Sequence, residues 1–164
     1  MLESLILAFA LLSPEVWTLL RQEIALEAVR TVESGRIVES GRRGARLADQ
    51  RLSEGSRWNG GPGWDDCPDG DDGLSIGPFQ ICRAYWEDAV AFDPSIGGGY
   101  EDCRRRDYAA RVVRAYMSRY VPEAWARGDL EVMARTHNGG PRGAKSAKTL
   151  PFYGRVLEAL GARS

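Results

Sequence analysis

Apolar residues recur at helical spacing in five places along this 164-residue chain. The first run opens at Ser13-Pro14-Glu15, with Ser as N-cap, Pro at the first helical position and an acid in the first turn. Val16, Leu20, Ile24, Ala28 and Val32 then fall every fourth residue, and Leu19, Leu26 and Val29 widen the stripe. The spacing predicts an amphipathic helix closed by Gly35. A shorter helix is predicted from Cys82 to Phe92, stopped by Asp93-Pro94. A long one follows from Arg104 to Tyr120, with Tyr108, Val112, Ala115, Tyr116 and Tyr120 on one face and Pro122 ending it. Asp129 caps a helix through Leu130, Met133 and His137. Thr149 caps the last, with Tyr153, Val156, Leu157 and Leu160 inward and Gly161 as its stop.

Residues 36–70 break this pattern. They are rich in Gly and Arg, poor in aliphatics, and contain Trp58-Asn59-Gly60-Gly61-Pro62-Gly63-Trp64. They predict a long loop insertion, with a β-hairpin or short helix around Ala45–Leu52. No βαβ alternation occurs, and the one repeat is Val-Glu-Ser-Gly at 32–35 and again at 38–41. The expected architecture is a single α+β domain over 1–164, predominantly α, with a small irregular or β-containing lobe.

Three polar segments stand out against this helical frame. Asp71-Asp72-Gly73-Leu74-Ser75-Ile76-Gly77-Pro78-Phe79-Gln80-Ile81 is too polar at its start for a core strand and too rich in Gly and Pro for a helix interior. It predicts a shaped loop that places side chains. Upstream, Glu33 falls in the last turn of the first helix. The negative end of the helix dipole and partial burial both push a carboxyl pKa upward there. Downstream, Thr136-His137-Asn138-Gly139-Gly140-Pro141 is a second Gly-rich polar turn. The three are expected to rim one cleft.

Composition narrows the possibilities. Net charge is −1 with 27% charged and 43% hydrophobic residues, so neither nucleic acid nor another polyanion is an expected partner. The three cysteines, Cys67, Cys82 and Cys103, form no CxxC pair, and with one histidine they do not make a structural zinc site. They leave open one disulfide or none. The apolar run Leu5 to Leu12 has the length of a signal h-region, and Ala8-Phe9-Ala10 resembles a cleavage pattern, but Glu3 precedes it and no Lys or Arg does. It reads either as an atypical export signal or as a packed N-terminal helix, and it is too short to span a bilayer, which takes roughly 20 residues.

Two carboxylates on opposite walls of a cleft can cleave a glycosidic bond, one kept protonated as general acid and the other ionised. Against this stands the plainer reading of Glu33 as an exposed helix-end acid. Asp69, Asp71 and Gly73 match the start of a calcium loop, but Leu74 replaces its central Gly and Gln80 its closing Glu. A solvated acidic loop of Asp65, Asp66, Asp69, Asp71 and Asp72 is the alternative, and no metal or cofactor is implied. Taken alone, His137 reads as a hydrogen-bonded structural histidine. Cys82 as a nucleophile lacks a His or Asp nearby in sequence.

Taken together, these segments resemble the invertebrate-type (i-type) lysozymes and their bacterial relatives, within the lysozyme-like superfamily. The resemblance runs from about Ala25 to Val156. It is carried by Val32-Glu33-Ser34-Gly35, by Leu74 to Ile81 with Ala84-Tyr85-Trp86-Glu87-Asp88, by Glu101-Asp102-Cys103, by Tyr116 to Tyr120, by Ala134 to Gly143 and by Thr149-Leu150-Pro151-Phe152-Tyr153. It implies a lysozyme-like fold with a helical lobe and a small β lobe flanking a cleft. It also implies a secreted or periplasmic muramidase that cleaves the β-1,4 bond between N-acetylmuramic acid and N-acetylglucosamine, degrading cell walls with antimicrobial effect.

By that resemblance Glu33 is the general acid, with Glu39 in the second Val-Glu-Ser-Gly as the alternative. Asp71 is the second carboxylate, with Asp72 and Asp69 as runners-up. Gln80 and Asn138, and then Ser75, Tyr85, His137 and Tyr153, are the expected sugar contacts. Two alternatives stay open: a lytic transglycosylase using Glu33 alone, and a non-catalytic peptidoglycan-binding protein. An isopeptidase activity found among i-type relatives has no clear Ser-His or Cys-His pair here. The i-type proteins are disulfide-dense, but Ala25, Ala28, Arg30, Ile76, Ala109 and Val113 stand where cysteines are expected, and only Cys103 falls on a family cysteine. Stability is therefore expected to come from packing.

Overall fold

The computed structural model describes residues 13–34 and 69–161, apart from the side chain of Asp72. Residues 1–12, Gly35, Glu39, Cys67 and the rest of the predicted insertion up to residue 68 lie outside the described residues. Among the described residues six α-helices carry the structure: α1 (Pro14–Glu33), α2 (Arg83–Phe92), α3 (Arg106–Tyr120), α4 (Pro122–Arg127), α5 (Leu130–Gly139) and α6 (Leu150–Ala159). Two short strands, β1 (Ser75–Ile76) and β2 (Ile81–Cys82), pair antiparallel with Ser75 opposite Cys82 and Ile76 opposite Ile81. The class is α+β and predominantly α, as the periodicity predicts.

The start and stop signals act locally. Ser13 accepts from the Val16 amide at the head of α1, and Asp129 accepts from Val132 at the head of α5. Pro122 does more than end α3, since it also starts the six-residue α4. Residues 100–104 wind as a separate 3-10 turn, so α3 begins at Arg106 rather than Arg104. Thr149 sits at the N-cap position of α6 without capping it. Its hydroxyl lies 2.8 Å from the Gly143 and Ser146 carbonyls and accepts from Arg135 Nε at 3.1 Å, so it is committed to the preceding turn.

The buried face of α1 is rotated from the predicted stripe. Gln22, Ala25, Leu26, Ala28, Val29 and Arg30 are buried, while Val16, Leu19 and Ile24 are exposed. Two polar residues explain the shift. Gln22 Nε2 donates to the Trp125 carbonyl at 2.8 Å, and Arg30 Nε donates to Glu27 at 2.8 Å, so each has a partner under cover. In α6 likewise, Phe152 and Val156 are the buried pair and Leu160 is exposed.

One continuous core joins α1, the β-turn, α2, α3, α5 and α6. The six positions at which other residues replace an expected cysteine are all buried: Ala25, Ala28, Arg30, Ile76, Ala109 and Val113. Packing thus occupies those sites. Cys103 is fully buried as a free thiol whose pKa burial pushes up to about 12, and Cys82 is free and exposed at the head of α2.

Candidate active site

Glu33 closes α1 and is placed by the packing of that helix on α6 and α5. Its side chain keeps 20% of its surface exposed. Burial is the largest influence on its carboxyl and raises the pKa to about 8; the charge of Asp71 adds to the rise and Arg155 opposes it. The acid is therefore predominantly protonated at pH 7. Burial and a neighbouring carboxylate hold it so, where the sequence also suggested the helix dipole.

The loop from Gly70 to Ile81 lies near Glu33, bringing the charge of Asp71 to bear on it and the Phe79 carbonyl onto its neighbour His137. Asp71 opens a 3-10 turn (Asp71–Gly73), is exposed, and receives the Ser75 hydroxyl at 3.4 Å. Asp71 (φ 49°) and Gln80 (φ 47°) are the described non-glycine residues in the left-handed region. Such backbone costs on the order of 1 kcal/mol per residue and persists where surroundings enforce it. Here the Gln80 side chain donates to the Gly77 carbonyl at 2.8 Å. Its Oε1 comes so close to Gly70 that a Cβ at position 70 would lie 2.0 Å away. Gly77 itself (φ +71°) lies against the Cys103 carbonyl, where a Cβ would stand at 2.0 Å. The loop is thus folded tightly onto its own glycines and onto the turn at Cys103.

Behind Glu33 stands His137, in the last turn of α5. Its Nε2 is 3.0 Å from the Phe79 carbonyl and its Nδ1 is 3.2 Å from the Tyr85 hydroxyl. A carbonyl only accepts, so Nε2 carries the hydrogen and Nδ1 accepts from Tyr85. Burial lowers the His137 pKa to about 4. Nε2 also lies 3.6 Å from Glu33 Oε1. With an acid near 8 and an imidazole near 4, this contact joins two neutral groups between those pH values and is no ion pair.

The sequence-predicted residues are thus divided. Glu33, Asp71, Ser75, Gln80 and His137 share one locality, and Asn138, which follows His137 in α5, is exposed. Tyr85 does not offer a ring to a sugar. It is 7% exposed, stacks on Tyr116 at 3.5 Å between centroids, and spends its hydroxyl on His137. Tyr153 is half-buried and senses Glu131 and Asp129, at the far end of α5 from Glu33. Asp69 is clamped by the Arg104 guanidinium, which removes it as a free second carboxylate. Among the described residues no group of three His, Cys, Asp or Glu side chains could hold a metal.

Sequence reasoning missed Arg155 and Phe152. Arg155 acts on Glu33, and its guanidinium lies 5.3 Å from the Phe152 ring centre, which is 6.4 Å from the His137 ring. Their i, i+3 spacing on α6 was the available signal, and Tyr153 drew attention away from it.

Comparison with known proteins shows the family. Lysozyme 1 of Crassostrea virginica is 41% identical over 83 residues, covering 50% of this chain and 43% of its own. The lysozyme of Meretrix lusoria is 38% identical over 89 residues, covering 54% of this chain and 70% of its own. The crystal structure of Tapes japonica lysozyme aligns with a TM-score of 0.46 at 31% identity, over 55% of this chain and 71% of that one. The chain spans about half the length of the oyster lysozymes it matches. The family profile named destabilase matches residues 65–159, which include the Asp71 loop and His137 but not Glu33. The chain belongs to the destabilase family of invertebrate-type lysozymes.

Proposed function

We propose that this protein is a muramidase that hydrolyses the β-1,4 bond between N-acetylmuramic acid and N-acetylglucosamine in peptidoglycan, with Glu33 as general acid. One observation carries the reading: a carboxyl with a pKa of about 8 that is buried yet 20% accessible, facing a loop that bears a second carboxylate. A neutral acid at pH 7 can protonate a glycosidic oxygen, and an ionised one cannot. Asp71, exposed and close enough to act on Glu33, serves as the ionised partner that stabilises positive charge at the sugar or attacks it. Gln80 on the loop and the exposed Asn138 on α5 offer amide groups to sugar hydroxyls, whereas Ser75 is buried and gives its hydroxyl to Asp71.

Peptidoglycan lies outside the cytoplasm, so the reading implies a secreted or periplasmic site of action. No described helix is long and apolar enough to cross a membrane. The test is Glu33→Gln, assayed by clearing of a peptidoglycan suspension and by circular dichroism. Loss of clearing with the fold retained supports the assignment, and retained clearing rejects it. Product mass separates the alternatives: a reducing muramic end marks hydrolysis, an anhydro end marks a transglycosylase, and binding without release marks a non-catalytic protein.

A further inference from the structure

We propose that the turn between α5 and α6, with its exposed Arg142, Lys145 and Lys148, is a docking surface for the carboxylates of the peptide stem that N-acetylmuramic acid carries. The inference rests on the muramidase reading and names a second part of the same substrate.

The sequence concentrates positive charge in this stretch. No Asp or Glu occurs between Glu131 and Glu158, and the chain's only lysines, Lys145 and Lys148, fall there with Arg135, Arg142 and Arg155. The net charge of −1 thus conceals a local excess of cations. Elsewhere on the surface cations meet carboxylates, as Arg104, Arg106, Arg114 and Arg119 do. Arg142, Lys145, Lys148 and Arg155 are exposed, and none of them forms an ion pair with a described residue.

The turn is held in shape from below. Arg135 is largely buried and tied to Glu131, and it donates to the Thr149 hydroxyl at 3.1 Å and to the Ser146 carbonyl at 3.2 Å. Gly143 is buried where a Cβ would stand 2.0 Å from the Arg135 carbonyl, and a Cβ at Gly139 would stand 2.5 Å from Thr149 Cγ2. The turn therefore closes on its own start, which brings Lys148 back toward the end of α5. Residues 140–145 wind as a 3-10 turn, in which side chains three apart eclipse, so Arg142 and Lys145 project on the same side.

This surface adjoins the acid. The turn follows Asn138 directly, His137 lies 3.6 Å from Glu33, and Arg155 is near enough for its charge to act on Glu33. N-acetylmuramic acid differs from N-acetylglucosamine by a lactyl ether, from which hangs a short peptide with free carboxylates. The scissile bond belongs to that sugar, so the stem leaves the glycan beside the acid. Three extended residues at about 3.3 Å each reach roughly 10 Å, which is also about the range of surface charges at 0.1 M salt. Guanidinium and ammonium groups suit carboxylates, and a bare neutral glycan offers them nothing.

The probe is soluble peptidoglycan strands with uncrosslinked stems, set against the same strands after an amidase has removed the stems. Binding is measured by calorimetry on Glu33→Gln protein, so the readout stands whether or not the strands are cleaved. Stem-bearing strands should bind about tenfold more tightly at about 20 mM salt, with that advantage falling to about twofold at about 300 mM. Adding Arg142→Gln, Lys145→Gln and Lys148→Gln together should cut the low-salt advantage to about twofold, with circular dichroism confirming the fold. Equal affinity for the two strands, or an advantage that survives the triple substitution, overturns the proposal. So does an advantage that outlasts removal of the stems and disappears when phosphate-bearing wall polymers are extracted, since the surface then takes phosphate. If the triple variant does not fold, the stem advantage and its salt dependence in the Glu33→Gln protein decide alone. A failed muramidase reading shows instead as clearing retained by Glu33→Gln, which leaves this binding comparison untouched.

Discussion

Replacing Glu33 by Gln should stabilise this protein at neutral pH while removing its acid. A carboxyl whose pKa rises from 4.5 unfolded to about 8 folded binds its proton more tightly in the native state. Its contribution is therefore fully present below pH 4.5 and is lost as pH rises through 8. The loss relative to an unshifted acid is 2.303RT times the pH distance above 4.5, until the folded group itself ionises. That gives under about 1 kcal/mol at pH 5, about 3 kcal/mol at pH 7 and about 5 kcal/mol above pH 9. Glutamine has nearly the same shape and never ionises, so Glu33→Gln removes the whole cost. For a chain of this size, about 3 kcal/mol corresponds to a rise in Tm of roughly 6–12 °C. The assay is thermal unfolding of both proteins at pH 5, 6, 7 and 8. The Tm difference should be small at pH 5 and grow with each step. A difference that does not depend on pH, or a variant less stable than wild type at pH 7, refutes the buried neutral acid.

The neighbours of Glu33 make signed predictions. Asp71→Asn removes a charge that raises the Glu33 pKa, so the basic limb of kcat/KM should move to lower pH; Arg155→Gln should move it upward, with a shift that shrinks in high salt because Arg155 is exposed. His137, held neutral with a pKa of about 4, should cost stability as pH falls from 6.5 through 4, by about 3 kcal/mol at the acid end; urea melts of His137→Gln should lack that acid loss. Gly77→Ala sets a Cβ 2.0 Å from a backbone oxygen at φ +71°, and should destabilise by about 2 kcal/mol or more in the same melts. A Gly77→Ala protein as stable as wild type would mean the loop does not sit against Cys103.

Much of this arrangement was legible in the sequence, and the gaps have physical causes. Pro14, Pro122, Asp129 and Gly161 mark element ends, because backbone geometry and capping act within a few residues. The rotation of α1 was not legible, because it depends on the partners that Gln22 and Arg30 find in the fold. One of these, the Trp125 carbonyl, lies 103 residues away. The site divides in the same way. Glu33, Asp71 and His137 could be named from residue type and motif, but their roles depend on burial. Tyr85 is expected as a sugar contact by resemblance alone, and its place beneath His137 comes from stacking on Tyr116, 31 positions further along. Asp69 and Asp71 are chemically alike in sequence; Arg104 distinguishes them by taking one.

Glu33 lies outside the span matched by the family profile, so its delivery to the site is a matter of packing. The acid sits at the end of α1, and α1 meets the matched region through contacts with α6 and α5. Three positions on that helix where the i-type pattern has cysteine, Ala25, Ala28 and Arg30, are each at most 3% exposed. Small side chains there let α1 approach closely, and Arg30 carries its charge inward while bound to Glu27, which also receives Arg106 of α3 at 2.9 Å. Close packing answers to volume changes as small as one methylene, so enlarging Ala25 or Ala28 should tilt or lift the helix that bears the acid. A shift of about 1 Å would misplace the Glu33 carboxyl and lower activity well beyond the loss of stability. The site and the core of α1 are in this sense one structure, in which packing holds the acid where a disulfide-dense relative has covalent bonds to rely on.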